Sequence, residues 1–228
     1  MSILERPHPT PLASTQEKGM TVRRNPQRTR ERILQAAITE FSQKGLDGAR
    51  VDEIARRSRA NKRLIYHYFG NKEELFLAVL ERAYDDIRQA EASLDLDGLD
   101  PETAMRRLTE FSFDHSAHNP HFIHLLNCEN LYGARHLRES AHILKMNSPI
   151  IEALRRILAR GQREGTFRKD VDPLQLYISI AALGYFYLSN NHTLSVVFGR
   201  NLADRREVRT RREHNVAVIL GFLRQRRG

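Results

Sequence analysis

The chain has 228 residues, 40 % hydrophobic and 29 % charged, with a net charge of +9. That balance fits a folded chain in water and excludes disorder throughout. No apolar run approaches the roughly 18 residues needed to span a bilayer. Its start also lacks the basic-then-apolar pattern of a secretion signal, and the lone Cys128 fits a reducing cytoplasm.

Residues 1–27 contain Pro7, Pro9, Pro11 and Pro26 and have no apolar period, so they read as a flexible tail. A helical period begins near Thr29, with Ile33, Ala36, Ala37 and Phe41 on one face. Lys44 and Gly45 are a helix ending. A second short helix carries Val51, Ile54 and Ala55, and Asn61 is the N-cap of a third with Leu64, Ile65, Tyr68 and Phe69. Asn71 caps a longer helix to about Ala92, with Glu73 and Glu74 favouring its dipole.

Residues 94–99 read as a loop. Three later helices each open on a capping residue followed by proline: Asp100-Pro101, Asn119-Pro120 and Ser148-Pro149. Gly161 and Gly165 close the last of these, and Asp172-Pro173 opens an apolar helix over 174–188. A final helix runs from about Asp204, with Val208, Val216, Ile219, Phe222 and Leu223 on one side. No segment alternates with period two and no repeat is visible, so the fold expected is all-α.

The helix over 174–188 is apolar nearly all round, which requires cover on every side. Its own domain or a second subunit supplies that cover. With the last helix it would form a four-helix interface in a homodimer.

Charge is unevenly placed. Residues 23–72 hold 13 basic and 5 acidic side chains, whereas residues 73–199 hold 13 basic and 18 acidic. A basic block of this kind is the footprint of a surface that meets phosphates, although a solvated face has the same composition. Within it, VDEIARRSRANKRLIYHYF (51–69) gives two short helices and a brief turn, the helix-turn-helix pattern. A helix in the major groove needs long donors near its N-terminus, because guanine shows two acceptors there. Lys62 and Arg63 occupy that place, and the tyrosines add hydroxyls for phosphates.

The span Arg30–Leu80 resembles the DNA-binding domain of the tetracycline-repressor (TetR) family, through Ile33, Ala36, Ala37, Phe41, Gly45, Val51, Ile54, Ala55, Lys62, Tyr66, Phe69, Lys72, Glu73 and Leu75. The run IYHYFGNKEELF is close to the family's hallmark. Asn119–Glu129 and the turn GQREGTF resemble a subgroup that includes nicotinate- and pyrimidine-pathway repressors. The resemblance implies that Lys62, Arg63 and His67 face base edges, and that Arg50, Tyr66, Tyr68 and Lys72 meet phosphates. Arg28 and Arg30 would add backbone or minor-groove contacts. It also implies a homodimer on a palindromic double-stranded operator, released by a small-molecule effector, with no cofactor. Two positions depart from the pattern. Ala49 stands where the family has Thr or Ser, which loses an N-cap of about 1 kcal/mol. Arg59 stands where it has Gly, at a cost of about 1 kcal/mol if φ is positive. An arginine there is also long enough to reach a phosphate.

The family's effector site lies among the helices behind the DNA-binding domain, where Phe111, His115, Phe122, Leu126, Tyr132 and Tyr185 are linings by type and position. Each also fits plain core. His115, His118, His121 and His124 recur every three residues near Asp114, Cys128 and Glu129. Histidines at i and i+3 on one helix can share a metal, but Asn119-Pro120 interrupts this one. The expected organisation is a tail (1–27), a helix-turn-helix domain (28–74) and a helical ligand-binding and dimerisation domain (75–228). The function expected is a ligand-released transcriptional repressor in the cytoplasm. Alternatives are a metal-responsive regulator built on His115–His124 and an architectural nucleic-acid-binding protein. With no Gly-rich phosphate loop, carboxylate pair or nucleophile elbow, an enzyme is not expected.

Overall fold

A computed structural model describes residues 25–145 and 149–224. These form α1 (Pro26–Gly48), α2 (Val51–Ser58), α3 (Lys62–Phe69), α4 (Lys72–Ala92), α5 (Pro101–His118) and α6 (Pro120–Leu131). There follow α7 (Arg135–Glu139), α8 (Ala141–Lys145), α9 (Pro149–Arg163), α10 (Pro173–Phe198) and α11 (Arg205–Leu223). No strand occurs among the described residues; one isolated bridge pairs Phe167 with Arg224. The fold is all-α, as expected.

Side-chain caps set most of the boundaries. Asn61, Asn71, Asp100 and Asp172 accept from the backbone N–H of Leu64, Glu74, Thr103 and Gln175, respectively. Asn25 does the same for Gln27 and Arg28, with Pro26 in the first turn. The first helix therefore starts earlier than its apolar period, and Asn25–Gln27 belong to it rather than to a tail. The rest of that expected tail (1–24) and the Ser148 cap lie outside the described residues. Near its end α1 is broken at Gly45, with φ +67° and ψ −178°. A side chain there would be strained.

Several expectations are corrected. Asn119 does not cap α6; its Nδ2 instead donates to the His115 carbonyl of the preceding helix at 2.8 Å. Gly161 does not close α9 but lies inside it, where a Cβ would sit 2.2 Å from Cδ2 of Phe167. The cap position of α2 is Arg50, not Ala49, and no side chain caps it. Arg59 does adopt the left-handed conformation, φ 52° and ψ 36°. α10 continues ten residues past Leu188 to Phe198, the polar stretch from Ser189 to Thr193 having masked its apolar character. Helices α7 and α8, five residues each, are too short to show a period. Buried Glu129 fixes the first, accepting from the His136 and Leu137 N–H and from His136 Nδ1.

Two hydrophobic cores result. The first gathers α1–α4 around Ile33, Phe41, Ile54, Ile65 and Phe76, and takes in Leu125 of α6. The second packs α5, α9, α10 and α11 around Met105, Leu108, Ile157, Phe167 and Ile219. α4 contributes to the first core as far as Ala83 and continues towards the second. No helix among the described residues is long and apolar enough to cross a membrane.

Candidate nucleic-acid interface and ligand cavity

Ile65 and Phe69 of α3, four residues apart, point into the first core. That fixes the opposite face, and Lys62, Arg63, Tyr66 and His67 stand exposed on it. Tyr68 is half-buried, edge-on to His67 with ring centroids 5.4 Å apart. Arg30 stacks over the Phe69 ring at 5.0 Å, tying the start of α1 to the end of α3.

The basic residues here fall into two groups. Some are bound within the molecule. Lys62 pairs with Asp52 at 2.7 Å, and the Lys72 ammonium donates to the Asp47 carbonyl at 3.2 Å. Arg56 and Arg57 share Glu53, whose carboxyl is held at about 2, chiefly by its hydrogen bonds from Arg56. The exposed side chains of Arg50, Arg59 and Arg63 have no hydrogen bond or ion pair among the described residues. Buried Glu40 organises the start of α2, its Oε1 accepting from Lys44 Nζ at 2.9 Å and from the Arg50 N–H at 3.2 Å.

Behind this surface a cavity of 330 Å³ opens between α4, α5, α6 and α10. Phe111, Phe122, Leu126 and Tyr185 line it. His115 does not; it is half-buried beside Phe111, and burial lowers its pKa. Tyr132 lies elsewhere, its hydroxyl donating to Asp47 Oδ2 at 2.6 Å, a bond that helps push its pKa up to about 12. Sequence reasoning missed Arg88, Glu91 and Tyr177, which also line the cavity. Arg88 and Glu91 form an ion pair there. Burial pushes the Glu91 carboxyl up, and Arg88 offsets this in part. The i, i+3 spacing of Arg88 and Glu91 was visible, but it is common on solvated helices. Tyr84 packs edge-on to Phe122 at 5.7 Å, and Tyr185 donates to Asn127, which itself donates to Ser189 Oγ at 3.0 Å.

Helix α6 serves both regions. Phe122, Ile123, Leu126 and Asn130 line the cavity. Leu125 enters the first core, and Cys128 Sγ accepts from the Leu46 N–H at 3.4 Å. Helix α10 shows a face that the described residues leave open, with Leu174, Ile178 and Phe186 exposed beside Val218 and Phe222 of α11.

The histidine series gathers no metal site. Among the described residues no three His, Cys, Asp or Glu side chains are placed to hold one ion. His118 is instead bonded to the Asp114 carbonyl at 2.6 Å. The metal-responsive alternative therefore loses its basis.

A family profile described as "Bacterial regulatory proteins, tetR family" matches residues 33–79, and "Tetracyclin repressor-like, C-terminal domain" matches residues 101–219. The chain is 43 % identical over 178 residues to the HTH-type transcriptional repressor NicS of Pseudomonas putida, covering 78 % of this chain and 84 % of that one. Among solved structures, a transcriptional regulator from Streptomyces coelicolor aligns at 26 % identity with a TM-score of 0.62, covering 86 % of this chain and 98 % of that one. FadR of Bacillus subtilis, solved with stearoyl-CoA, has the same fold at 15 % identity, with a TM-score of 0.63 and coverage of 84 % and 98 %. Nothing in these likenesses supports an architectural role. With both its helix-turn-helix and its helical body matched, the chain belongs to the TetR family of bacterial transcriptional regulators.

Proposed function

We propose that the protein is a homodimeric repressor that binds a palindromic operator through two α3 helices and leaves it when a small molecule fills the cavity. Lys62, Arg63 and His67 read bases, while Arg50, Tyr66, Tyr68 and Lys72 hold phosphates. Lys62 reaches a base only by leaving Asp52, an exposed pair worth under about 1 kcal/mol. Lys72 works from the Asp47 carbonyl, so it fixes the end of α1 and a phosphate together. The open face of α10 and α11 is the dimer interface. The role involves no chemical step and is performed beside DNA in the cytoplasm.

The observation that carries the release mechanism is the double contact of α6, with the cavity through Leu126 and with the end of α1, past its break at Gly45, through Cys128. A dimer reads two half-sites only when its recognition helices sit about one DNA turn apart. A ligand that displaces α6 or tilts α4 changes that separation, provided that it binds the mis-spaced state more tightly. Coupling is reciprocal, so the effector binds free protein better than operator-bound protein.

A thermal-shift screen of small metabolites, followed by operator binding, tests this. Compounds that stabilise the wild type, but not Leu126→Trp, should weaken operator binding tenfold or more. Such compounds leaving operator affinity unchanged would contradict release.

A further inference from the structure

We infer that Arg59, in the turn between α2 and α3, is a phosphate-binding residue of the DNA interface; this rests on reading α3 as the groove-facing helix. Three residues other than glycine have positive φ among the described residues: Arg59, Ala134 and Asp170. At Arg59 the backbone, at φ 52°, closes α2, its N–H donating to the Arg56 carbonyl at 3.3 Å. That closure uses main-chain atoms alone, and glycine would make it with less strain. The side chain therefore needs another reason to be long and cationic.

The surrounding charges supply that reason. Each acidic side chain of the described part of the basic block is already engaged: Glu31 by Arg82, Glu40 by Lys44, Asp47 by Tyr132, Asp52 by Lys62, and Glu53 by Arg56 and Arg57. Arg59 is exposed and finds no anion among them. Its place in the chain is three residues before Lys62, where the turn delivers α3 to the groove. In a helix-turn-helix the first helix crosses the sugar–phosphate backbone, and the second enters the groove by its N-terminus. The link between them is bordered by phosphates, and strain retained at such a position marks a binding role.

The test compares Arg59→Gln, which removes the charge, Arg59→Gly, which also removes the strain, and Arg59→Lys, which keeps the charge. Each is titrated with a random-sequence duplex and with the duplex that the wild type enriches from a randomised pool. Each phosphate contact contributes about 0.9 to the slope of log affinity against log salt, or about eightfold in affinity at 0.1 M salt. Gln and Gly variants should lose that slope and affinity per engaged subunit, by the same factor on both duplexes. The Lys variant should retain most of both, with helical content unchanged throughout. Wild-type affinity and slope in Arg59→Gln would overturn the inference, as would a loss confined to the enriched duplex. If the wild type bound neither duplex, the DNA-binding reading would fall with it.

Discussion

Phe186→Asp should separate the subunits without unfolding them. Phe186 is 58 % exposed in the single chain and lies on the open face of α10, between Ala182 and Asn190 at helical spacing. A phenylalanine carries about 200 Å² of surface, so roughly 115 Å² per subunit leaves water if a second copy covers it. At about 25 cal/mol per Å² that contributes about 3 kcal/mol per subunit and about 6 kcal/mol per dimer. Losing it weakens association by about four orders of magnitude, before the desolvation of two aspartates is counted. Sedimentation equilibrium should show the wild type dimeric, and the variant monomeric, at micromolar concentration, with matching circular dichroism. Operator affinity should fall in parallel, because two half-sites are no longer read by a linked pair. A variant that stayed dimeric, or a wild type already monomeric there, would refute the assignment of this face.

Arg63→Ala should weaken operator binding by about 1–3 kcal/mol and relax preference at one base pair per half-site. Lys72→Ala should weaken all sequences alike and flatten the salt dependence; identical sequence profiles for the two variants would contradict this division of roles. Gly161→Ala forces a Cβ into the buried Phe167 ring, and overpacking of this kind costs about 1–3 kcal/mol in chemical denaturation. An unchanged midpoint would show that the ring gives way. Glu40→Ala removes the acceptor for the Arg50 N–H and frees the start of α2, which should cost about 1–3 kcal/mol. Hydrogen exchange should show faster exchange at Arg50 than in the wild type; unchanged protection there would exclude this role of Glu40.

The sequence was most legible where local chemistry acts alone. Asn61, Asn71, Asp100 and Asp172 marked helix starts because a short polar side chain satisfies the first N–H groups without help from the rest of the fold. It was misleading at Asn119, where the same residue type faces back to the His115 carbonyl. It was also misleading at Gly161, whose role depends on a ring six residues away. The exposed face of α3 followed from Ile65 and Phe69, since two inward residues settle where the others point. Cavity residues were harder to read. Phe111, Phe122, Leu126 and Tyr185 have the composition of plain core, and only packing separates them from it. Tyr132 has the right type but lies at Asp47, because it falls seven residues after Leu125 and four after Cys128, on the side of α6 that packs on the first core and not on the cavity side. Arg88 and Glu91 resemble a solvated pair until the fold buries Glu91 and turns both towards the cavity.

Selection from a randomised duplex pool tests the central claim most directly. An inverted repeat should be enriched, with half-site centres about one helical turn apart, bound at least about a thousandfold more tightly than random duplex at physiological salt. That preference should be lost in Arg63→Ala. A wild-type protein that enriched no sequence, holding all duplexes equally through charge, would contradict it.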